Sequence, residues 1–413
     1  TSGGGFTASG GGSVLGHAAN NTIAAGNATA LSLSGVALAP GGVTFQNISA
    51  TPTVATAVNV DTVALNGALS IGGLTVSGGG TAARFSNLTG GAGVNLTGTI
   101  DIDGGTGFEF AGTLETIYVA NGAGSTLTID GASTAILFNG VTSGTVNIGL
   151  SGASASIGAT TSSTTAAIGV SGGTGGLLSY GGTIRSTTGA ALSVANSSPL
   201  VELTGATPST SANPLFHFVN ADGTYFVTGS VSHNGGAGVA VDAASSGAIT
   251  FSNASKAFNS GTGTAVSMAG TGTLSFTGGG LDIDTTSGTG LTASGGGTLV
   301  ITGAGNSITT ATGQVLNLNG LLAGVGGINF ASLGSTGTVA TTAISLNDLD
   351  GSSFNAGTGN IAGTSGASSD GIFMGGGSAV TFGCGTATVG AAGSNAVELN
   401  GTNGTVAFGT VNL

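Results

Sequence analysis

The chain has 413 residues, 85 of them glycine, and a formal net charge of −12 although only 4% of its residues are charged. The charge reflects a lack of basic residues rather than an acidic tract, because the chain has only three, Arg84, Arg185 and Lys256. A nucleic-acid partner is therefore excluded, since phosphate neutralisation needs clustered Lys and Arg. Hydrophobic residues make up 39% of the chain and glycine follows no triplet period, so a turn-rich all-β protein is favoured over a disordered or collagen-like chain.

Three apolar residues in the second half of the chain recur at one spacing. Val266, Leu291 and Leu316 are separated by 291 − 266 = 25 and 316 − 291 = 25 residues. A fixed period of this length is typical of a repeat architecture. We call these residues anchors.

Each repeat contains three short runs in which apolar and polar residues alternate. In the first repeat they are Val266–Met268, Leu274–Phe276 and Leu281–Ile283, separated by Gly, Thr and Ser. Alternation of this kind predicts strands, and strands of successive repeats can stack about 4.8 Å apart in a solenoid. We therefore expect a parallel β-helix with three short strands per turn, with the apolar residues inside and Ser267, Ser275 and Asp282 outside.

The anchor can be followed along the whole chain, and this gives about fifteen turns in a single domain, residues 1–413. The anchors in chain order are Leu31, Val58, Ala83, Phe108, Ile136, Ile168, Leu192, Phe216, Val239, Val266, Leu291, Leu316, Ile344, Ile372 and Val397.

An apolar, small polar, apolar triplet predicts the second strand of the turn. Phe often takes its third place, so an internal column of aromatic rings is expected. The middle residues predict a flat, uncharged outward column one residue wide. The triplets are Val43–Phe45, Leu74–Val76, Leu127–Ile129, Val146–Ile148, Ile249–Phe251, Leu274–Phe276, Ile328–Phe330 and Val380–Phe382.

Two stretches depart from this rhythm. The turn from Ile136 to Ile168 carries a low-complexity insert that could protrude as a loop. Residues 197–226 hold three of the five prolines and four aromatic residues, which predicts a loop-rich aromatic insertion folded over one side of the solenoid.

The two ends of the chain are expected to matter most for function. Residues 1–30 are predicted to form an N-terminal end with an incomplete turn, in which Thr22 and Ile23 resemble a third strand, and residues 400–413 to form uncapped C-terminal strands. Exposed strand edges are templates for pairing, so head-to-tail stacking of copies is one interpretation; a fragment of a longer solenoid is the other. The apolar residues predicted at the subunit joint are Phe6, Val14, Leu15, Ile23, Val406, Phe408, Val411 and Leu413.

The stretch from Gly263 to Gly320 resembles the Gly/Thr/Ser/Asn-rich β-strand repeats of large bacterial surface proteins and, more distantly, autotransporter passenger and haemagglutinin-type adhesin domains. The resemblance implies that the β-helix is right-handed and is displayed outside a bacterial cell in a structural or adhesive role. The autotransporter version would require a C-terminal membrane barrel in its precursor.

Enzymatic activity is not expected. Asp101 with Asp103, and Asp282 with Asp284, would lie about 6.5–7 Å apart on one side of a strand, which approaches the carboxylate spacing of an inverting glycosidase. A pair on a flat face lacks the cleft that raises the pKa of one carboxyl. Neither a cofactor nor a metal is predicted, and weak calcium binding is the alternative for four carboxylates, those of Asp282, Asp284, Asp348 and Asp350.

No histidine is predicted to ligate a metal, because His17, His217 and His233 have no partners at ligand spacing. No apolar run reaches the length of a membrane span, and the N-terminus lacks the features of a signal peptide. We therefore expect a mature extracellular chain whose signal peptide has been removed.

The interpretation that these observations favour is a structural protein that polymerises end to end, with lateral contacts between copies as a further possibility. An adhesin fragment that binds glycans or surfaces is the alternative. A polysaccharide-active enzyme or an ice-binding protein is favoured less.

Overall fold

The computed structural model describes residues 4–16 and 21–413, and no helix is found among them. Two compact units divide the chain, residues 1–207 and 208–413, and each is described by itself. In both units the strands pair in parallel with strands one repeat away. The fold is thus a parallel β-solenoid, as the sequence predicts, with about 16 turns where the sequence indicates about fifteen.

The strands of the first unit are mostly short, apart from β15 and β17, and the boundary between the units falls within β24. They are β1 (Phe6–Ser9), β2 (Ser13–Val14), β3 (Thr22–Ala25), β4 (Leu31–Ser34), β5 (Ala37–Leu38), β6 (Val43–Phe45), β7 (Asn47–Ala50), β8 (Thr56–Asp61), β9 (Ala64–Leu65), β10 (Leu69–Ile71), β11 (Leu74–Ser77), β12 (Thr81–Ser86), β13 (Val94–Leu96), β14 (Thr99–Asp103), β15 (Thr106–Val119), β16 (Thr126–Asp130), β17 (Thr134–Ile148), β18 (Ser154–Ile157), β19 (Ala166–Ser171), β20 (Leu177–Tyr180), β21 (Thr183–Ile184), β22 (Ala190–Ser197), β23 (Leu200–Leu203) and β24 (Thr207–Ser209).

The second unit continues the same pattern. Its strands are β25 (Phe216–Ala221), β26 (Thr224–Val227), β27 (Val231–Asn234), β28 (Val239–Val241), β29 (Ala248–Phe251), β30 (Lys256–Gly261), β31 (Val266–Met268), β32 (Thr273–Phe276), β33 (Leu281–Thr285), β34 (Leu291–Ser294), β35 (Thr298–Ile301), β36 (Ser307–Thr310), β37 (Leu316–Asn329), β38 (Ser332–Ser335), β39 (Ile344–Gly351), β40 (Ser353–Asn355), β41 (Thr358–Ile361), β42 (Ile372–Gly375), β43 (Thr381–Val389), β44 (Val397–Asn400) and β45 (Val406–Asn412).

The predicted anchor register is confirmed within each unit. Leu31 pairs with Val58, and the ladder continues through every predicted anchor to Leu192. In the second unit the ladder runs from Phe216 to Val397 in the same way. The structure adds an earlier anchor strand, β1, which pairs with β4, so the first turn is more complete than the sequence indicates.

Backbone contact between turns explains the glycine that precedes many anchors by three residues. A Cβ atom added at Gly313 would lie 1.9 Å from the carbonyl oxygen of Gly288, and one added at Gly288 would lie 1.9 Å from that of Gly263. Backbone therefore stacks directly on backbone at this corner, and only glycine fits.

The assignment of the second strand is wrong at two places. Leu74–Val76 and Leu127–Ile129 lie in β11 and β16, which belong to the sheet of third strands. Second and third strands carry the same triplet pattern, so the pattern alone does not distinguish them. The aromatic column is also interrupted: Phe251 stacks on Phe276, but Ile301 follows Phe276 in the ladder.

Both stretches expected as insertions contain strands that pair with neighbouring turns. Ser154–Ile157 is strand β18, paired with β16 and β21. Within 197–226, β23 continues the second strands of the first unit, and Phe216, Phe218 and Tyr225 are buried in β25 and β26 of the second unit. These three residues alternate with less buried ones, as inward positions of a strand do, so three of the four aromatic residues expected in the insertion belong to the core, whereas Phe226 is half-buried. The prediction of one domain over 1–413 stays a prediction.

Candidate functional site

The first described turn has an open apolar end. Phe6, Val14, Leu15 and Ile23 line a groove of about 460 Å³ whose floor includes Phe45. Phe6 is 40% and Leu15 58% exposed, and the ring centroids of Phe6 and Phe45 lie 6.2 Å apart. The structure thus brings together the four residues predicted for this end of the joint.

The strands around this groove are paired on one side only within the described part of the chain. β1 pairs with β4, β2 with β5 and β3 with β7. Among the described residues no strand pairs with the other edge of β1, β2 or β3, and an edge of this kind is a template for pairing.

The last turn presents a second apolar edge. Strand β45 pairs with β43, and β44 pairs with β42. Val406 and Phe408 are half-buried, and the ring of Phe408 lies 5.4 Å from that of Phe382. Val411 is 44% and Leu413 86% exposed. The four residues predicted for this end therefore lie on or directly after one strand, with their apolar surface partly uncovered.

The acidic pair Asp282 and Asp284 lies on an exposed side of β33, as the sequence predicts. Ser307 Oγ donates a hydrogen bond of 2.8 Å to Asp282 Oδ1. Burial, and then the charge of Asp282, raises the pKa of Asp284. Burial similarly raises the pKa of Asp101, with Asp103 and Asp130 adding to the effect. Asp282 and Asp284 lie on one strand, whereas Asp101 and Asp103 lie on β14 and Asp130 lies on the adjacent β16.

Asp348 and Asp350 lie beside an open groove of about 360 Å³ that Leu321 and Leu322 also line. Asp348 has a φ of 52°, and Asp350 Oδ1 accepts a hydrogen bond of 3.1 Å from the backbone N–H of Ala379. Over residues 4–16 and 21–413, no three His, Cys, Asp or Glu side chains are arranged to hold a metal ion. Calcium binding stays a prediction, and His17 lies outside the described residues.

The third strands of the second unit form a broad polar surface that the sequence analysis missed. We call it the third face. Each third strand contributes two outward residues that flank one inward residue, so the face consists of two columns. All members of the two columns are exposed or half-exposed. The first column is Ser232, Ala257, Asp282, Ser307, Ser332, Thr358, Thr386 and Thr410, and the second is Asn234, Asn259, Asp284, Thr309, Gly334, Asn360, Thr388 and Asn412.

A shallow groove of about 280 Å³ crosses the third face where Gly334 leaves a gap between Thr309 and Asn360. Ser332 and Thr358 line it from the other column. Hydroxyl and amide groups here both donate and accept hydrogen bonds. The expected outward column on the second strands was one residue wide, whereas this one is two residues wide because each third strand exposes two side chains.

Lys256 is buried in the core of the second unit, with 1% of its surface exposed. Its Nζ donates hydrogen bonds to the carbonyl oxygens of Asn253, Thr277 and Gly279, and burial lowers its pKa to about 8. Lys256 takes the ladder position of Val231 and Leu281. The register of the repeat could therefore have revealed a lysine at an inward position.

His233 is a second buried base, 2% exposed, at the ladder position of Phe258 and Ile283. Its Nε2 lies 3.0 Å from the carbonyl oxygen of Gly236. Burial lowers its pKa. The sequence analysis considered His233 only as a metal ligand and missed that its place in the repeat is internal.

Comparison of the chain with protein-family models, curated proteins and solved structures found no significant match. In the part of the chain that the structure describes, no helix is long and apolar enough to cross a membrane.

Proposed function

We propose that this chain is an extracellular structural protein whose copies join end to end into a filament. The observation that carries the proposal is the pair of edges just described, one at each end of the described chain. Each combines strands that are paired on one side only with partly exposed apolar residues.

The direction of pairing makes the two edges complementary. In a parallel solenoid every strand is bonded to the preceding turn on one side and to the following turn on the other. Strand β1 is bonded to the following anchor strand, β4, whereas β44 is bonded to the preceding one, β42. A second copy that places its β1 beside β44 would continue the ladder in the same sense. Such a contact is heterologous, because it uses two different surfaces, and a heterologous contact whose rotation does not close a ring generates a filament.

The apolar residues add the burial that backbone pairing alone does not supply. Phe6 and Leu15 at one edge, and Val411 and Leu413 at the other, are the exposed side chains that such a joint would cover. Each apolar Å² removed from water contributes about 25 cal/mol. A further turn of one longer polypeptide would cover the same residues, and this is the outcome that the experiment must separate from a filament.

Location outside a cell is supported by composition and by the resemblance to bacterial surface repeats. Of the three basic residues, Lys256 is buried, Arg84 is half-buried and Arg185 is exposed. A hydrogen-bonded solenoid with so few accessible basic residues offers trypsin-like proteases little to cut. The resemblance to autotransporter passenger and haemagglutinin-type domains belongs to this proposal as well.

Electron microscopy and analytical ultracentrifugation of the purified chain test the proposal. Wild-type protein should form long unbranched fibres. Phe6→Lys and Val411→Lys should each abolish them, because a charge would be buried in the joint. Val325→Lys is the matched control, since Val325 is 93% exposed and lies on β37, three turns before β45.

Mixing the two end variants tests the direction of the joint. Phe6→Lys keeps a competent C-terminal edge and Val411→Lys a competent N-terminal edge, so an equimolar mixture should form dimers and stop there. A wild-type chain that stays monomeric at high concentration, with both edges ordered, would overturn the proposal and favour a stretch of a longer solenoid.

A second candidate function, adhesion to a glycan surface, is favoured by the third face. Its hydroxyl and amide columns repeat about every 4.8 Å along the stack, and a groove at Gly334 gives access to both columns. Asp282 and Asp284 would repel an anionic polymer, so a neutral polysaccharide fits best. Pull-down on microcrystalline cellulose should retain wild-type protein and lose the Thr309→Ala/Asn360→Ala double variant; equal retention of both would exclude this face.

A further inference from the structure

His233 lies at an internal position where protonation of the neutral ring is unfavourable. The ring is in β27, and its strand neighbour Phe258 on β30 is fully buried. Because Nε2 contacts the carbonyl oxygen of Gly236, the neutral ring carries its proton on Nε2 and donates it there. Nδ1 is buried and has no hydrogen-bond partner. Protonation of the ring would thus create a buried N–H without an acceptor and a buried charge without a counter-ion.

No carboxylate lies among the inward side chains around His233 within the second unit. The inward residues of β25, β26, β28 and β29 are apolar except for Tyr225, whose hydroxyl accepts a hydrogen bond from Gly223 N–H and whose pKa burial raises to about 12. On β30 the nearest charged group is Lys256, two residues before Phe258 and facing Val231. The spacing between strands and the rise along a strand place the Cα atoms of Lys256 and His233 roughly 8 Å apart.

The charge on Lys256 increases the cost of protonating His233, because two positive charges would share one apolar core. The carboxylates of Asp222 and Asp242 do not compensate them. Both lie in turns between first and second strands, where they accept hydrogen bonds from Ser246 and from Ser245 and Asn220 respectively.

The turn that His233 holds lies next to solvent. Gly235 and Gly236 line an open groove of about 470 Å³ together with Ser260 and Gly261. Among the described residues, the hydrogen bond to Gly236 is the only one that the ring nitrogens make with this turn. Backbone hydrogen bonds from Gly235 N–H to Asn259 O and from Gly236 N–H to Ser211 O also hold this turn, so water reaches the ring when these bonds open with it.

We propose that His233 is an acid-sensitive latch: protonation of its ring releases the 234–238 turn and loosens the pairing of β27 with β30. The solenoid would then have one turn that opens in mild acid while the turns built on apolar side chains stay closed. This inference does not depend on whether copies of the chain form filaments.

The sign of the effect follows from linkage. Burial lowers the pKa of His233 below its usual 6.5 in the folded chain. The open form therefore binds a proton more readily than the closed form, so the closed form is favoured above about pH 6.5 and loses that advantage as pH falls. One proton taken up on opening increases the opening constant by up to about tenfold per pH unit below 6.5.

Hydrogen–deuterium exchange of the full chain at pH 7.5, 6.5 and 5.5, corrected for the intrinsic pH dependence of exchange, tests the latch. Peptides covering 230–240 should lose protection by up to about tenfold per pH unit below 6.5, while peptides covering 306–315 should not. His233→Gln keeps a donor for Gly236 but does not titrate, so its exchange at 230–240 should be flat with pH.

His217→Gln is the matched control, because His217 lies on the same unit in β25 with a partly exposed side chain; it should behave as wild type. Wild-type protection that is unchanged by acid would overturn the latch, as would an acid-induced loss that persists in His233→Gln. If His233→Gln perturbs folding, His233→Leu supplies a second non-titrating side chain, and the wild-type pH series stands on its own.

Discussion

The Nζ of Lys256 lies 2.5 Å from the carbonyl oxygen of Gly279, one turn further along the second unit. The same nitrogen donates to Thr277 O at 3.0 Å, so a buried ammonium ties two turns of the core together. Its burial lowers the pKa to about 8. Because this value is still above 7, the group is mainly protonated at neutral pH.

Lys256 should make the second unit more stable as pH rises from about 8 to 10. The folded pKa is about 8 and the unfolded pKa about 10.4, so between these values the folded chain binds fewer protons and stability increases with pH. Urea denaturation read by exchange at 250–262 should show this gain in wild type and not in Lys256→Met. A Lys256→Met chain with the same slope would assign the effect to another group.

Removal of one ring from the aromatic pair should be costly and local. Phe251 and Phe276 stack with centroids 5.2 Å apart, and both are fully buried. Phe276→Ala should lower the free energy of unfolding by about 3–5 kcal/mol, with the loss of protection greatest in adjacent turns because a solenoid is stabilised mainly by its neighbours.

Phe226→Ala is the control for that substitution, since Phe226 is only half-buried on β26; its cost should stay below about 1 kcal/mol. Equal costs for the two variants would contradict the assigned inward positions.

Two aspartates should respond to substitution with opposite signs. A hydrogen bond of 2.6 Å from Ser86 Oγ lowers the pKa of Asp61, so its carboxylate stabilises the fold above the unfolded pKa near 3.9 and loses this effect as pH falls. Burial and Asp282 raise the pKa of Asp284, so ionisation of Asp284 costs stability as pH rises through its folded pKa.

At pH 7 we therefore expect Asp61→Asn to lower the urea midpoint and Asp284→Asn to raise it, with both differences shrinking towards pH 3.5. Midpoints measured for wild type and the two variants at pH 7 and 3.5 would check this. Shifts of the same sign at pH 7 would contradict the environments described.

Trypsin should cut the native chain first after Arg185. Arg185 is exposed next to the short strand β21, whereas Arg84 lies within β12, which is paired on both sides, and contacts Glu109 at 3.6 Å. Lys256 is buried. Mass spectrometry of a digestion time course should show early cleavage at this bond, and Arg185→Gln should delay all cleavage. Early cleavage after Lys256 would mean that its turn is open in solution.

The register of the repeat could be predicted from the sequence because it depends on patterns among neighbouring residues. Alternation within a strand fixes which side chains share a face, and the glycine at Gly288 or Gly313 marks the corner where turns stack. The recurrence of an apolar anchor about every 25 residues on either side of Val266 therefore predicts the inward column of both units without reference to tertiary contacts.

The identity of the strand that carries a given triplet was decided only by tertiary structure. The same apolar, polar, apolar pattern occurs in Leu74–Val76 and in Val43–Phe45, yet the first lies on a third strand and the second on a second strand. The pattern does not separate them because turn lengths between strands vary from one repeat to the next. Because the third strands could not be identified from the pattern, the two columns of the third face could not be predicted either. These columns form only when eight third strands are in register.

The sequence by itself determined the parallel solenoid, its three-strand turns and its anchor ladder, because period, alternation and glycine placement are properties of neighbouring residues. Only the tertiary structure decided that Lys256 and His233 are enclosed without a counter-ion. Burial of a side chain depends on what the adjacent turns place around it, and those turns are about 25 residues away along the chain.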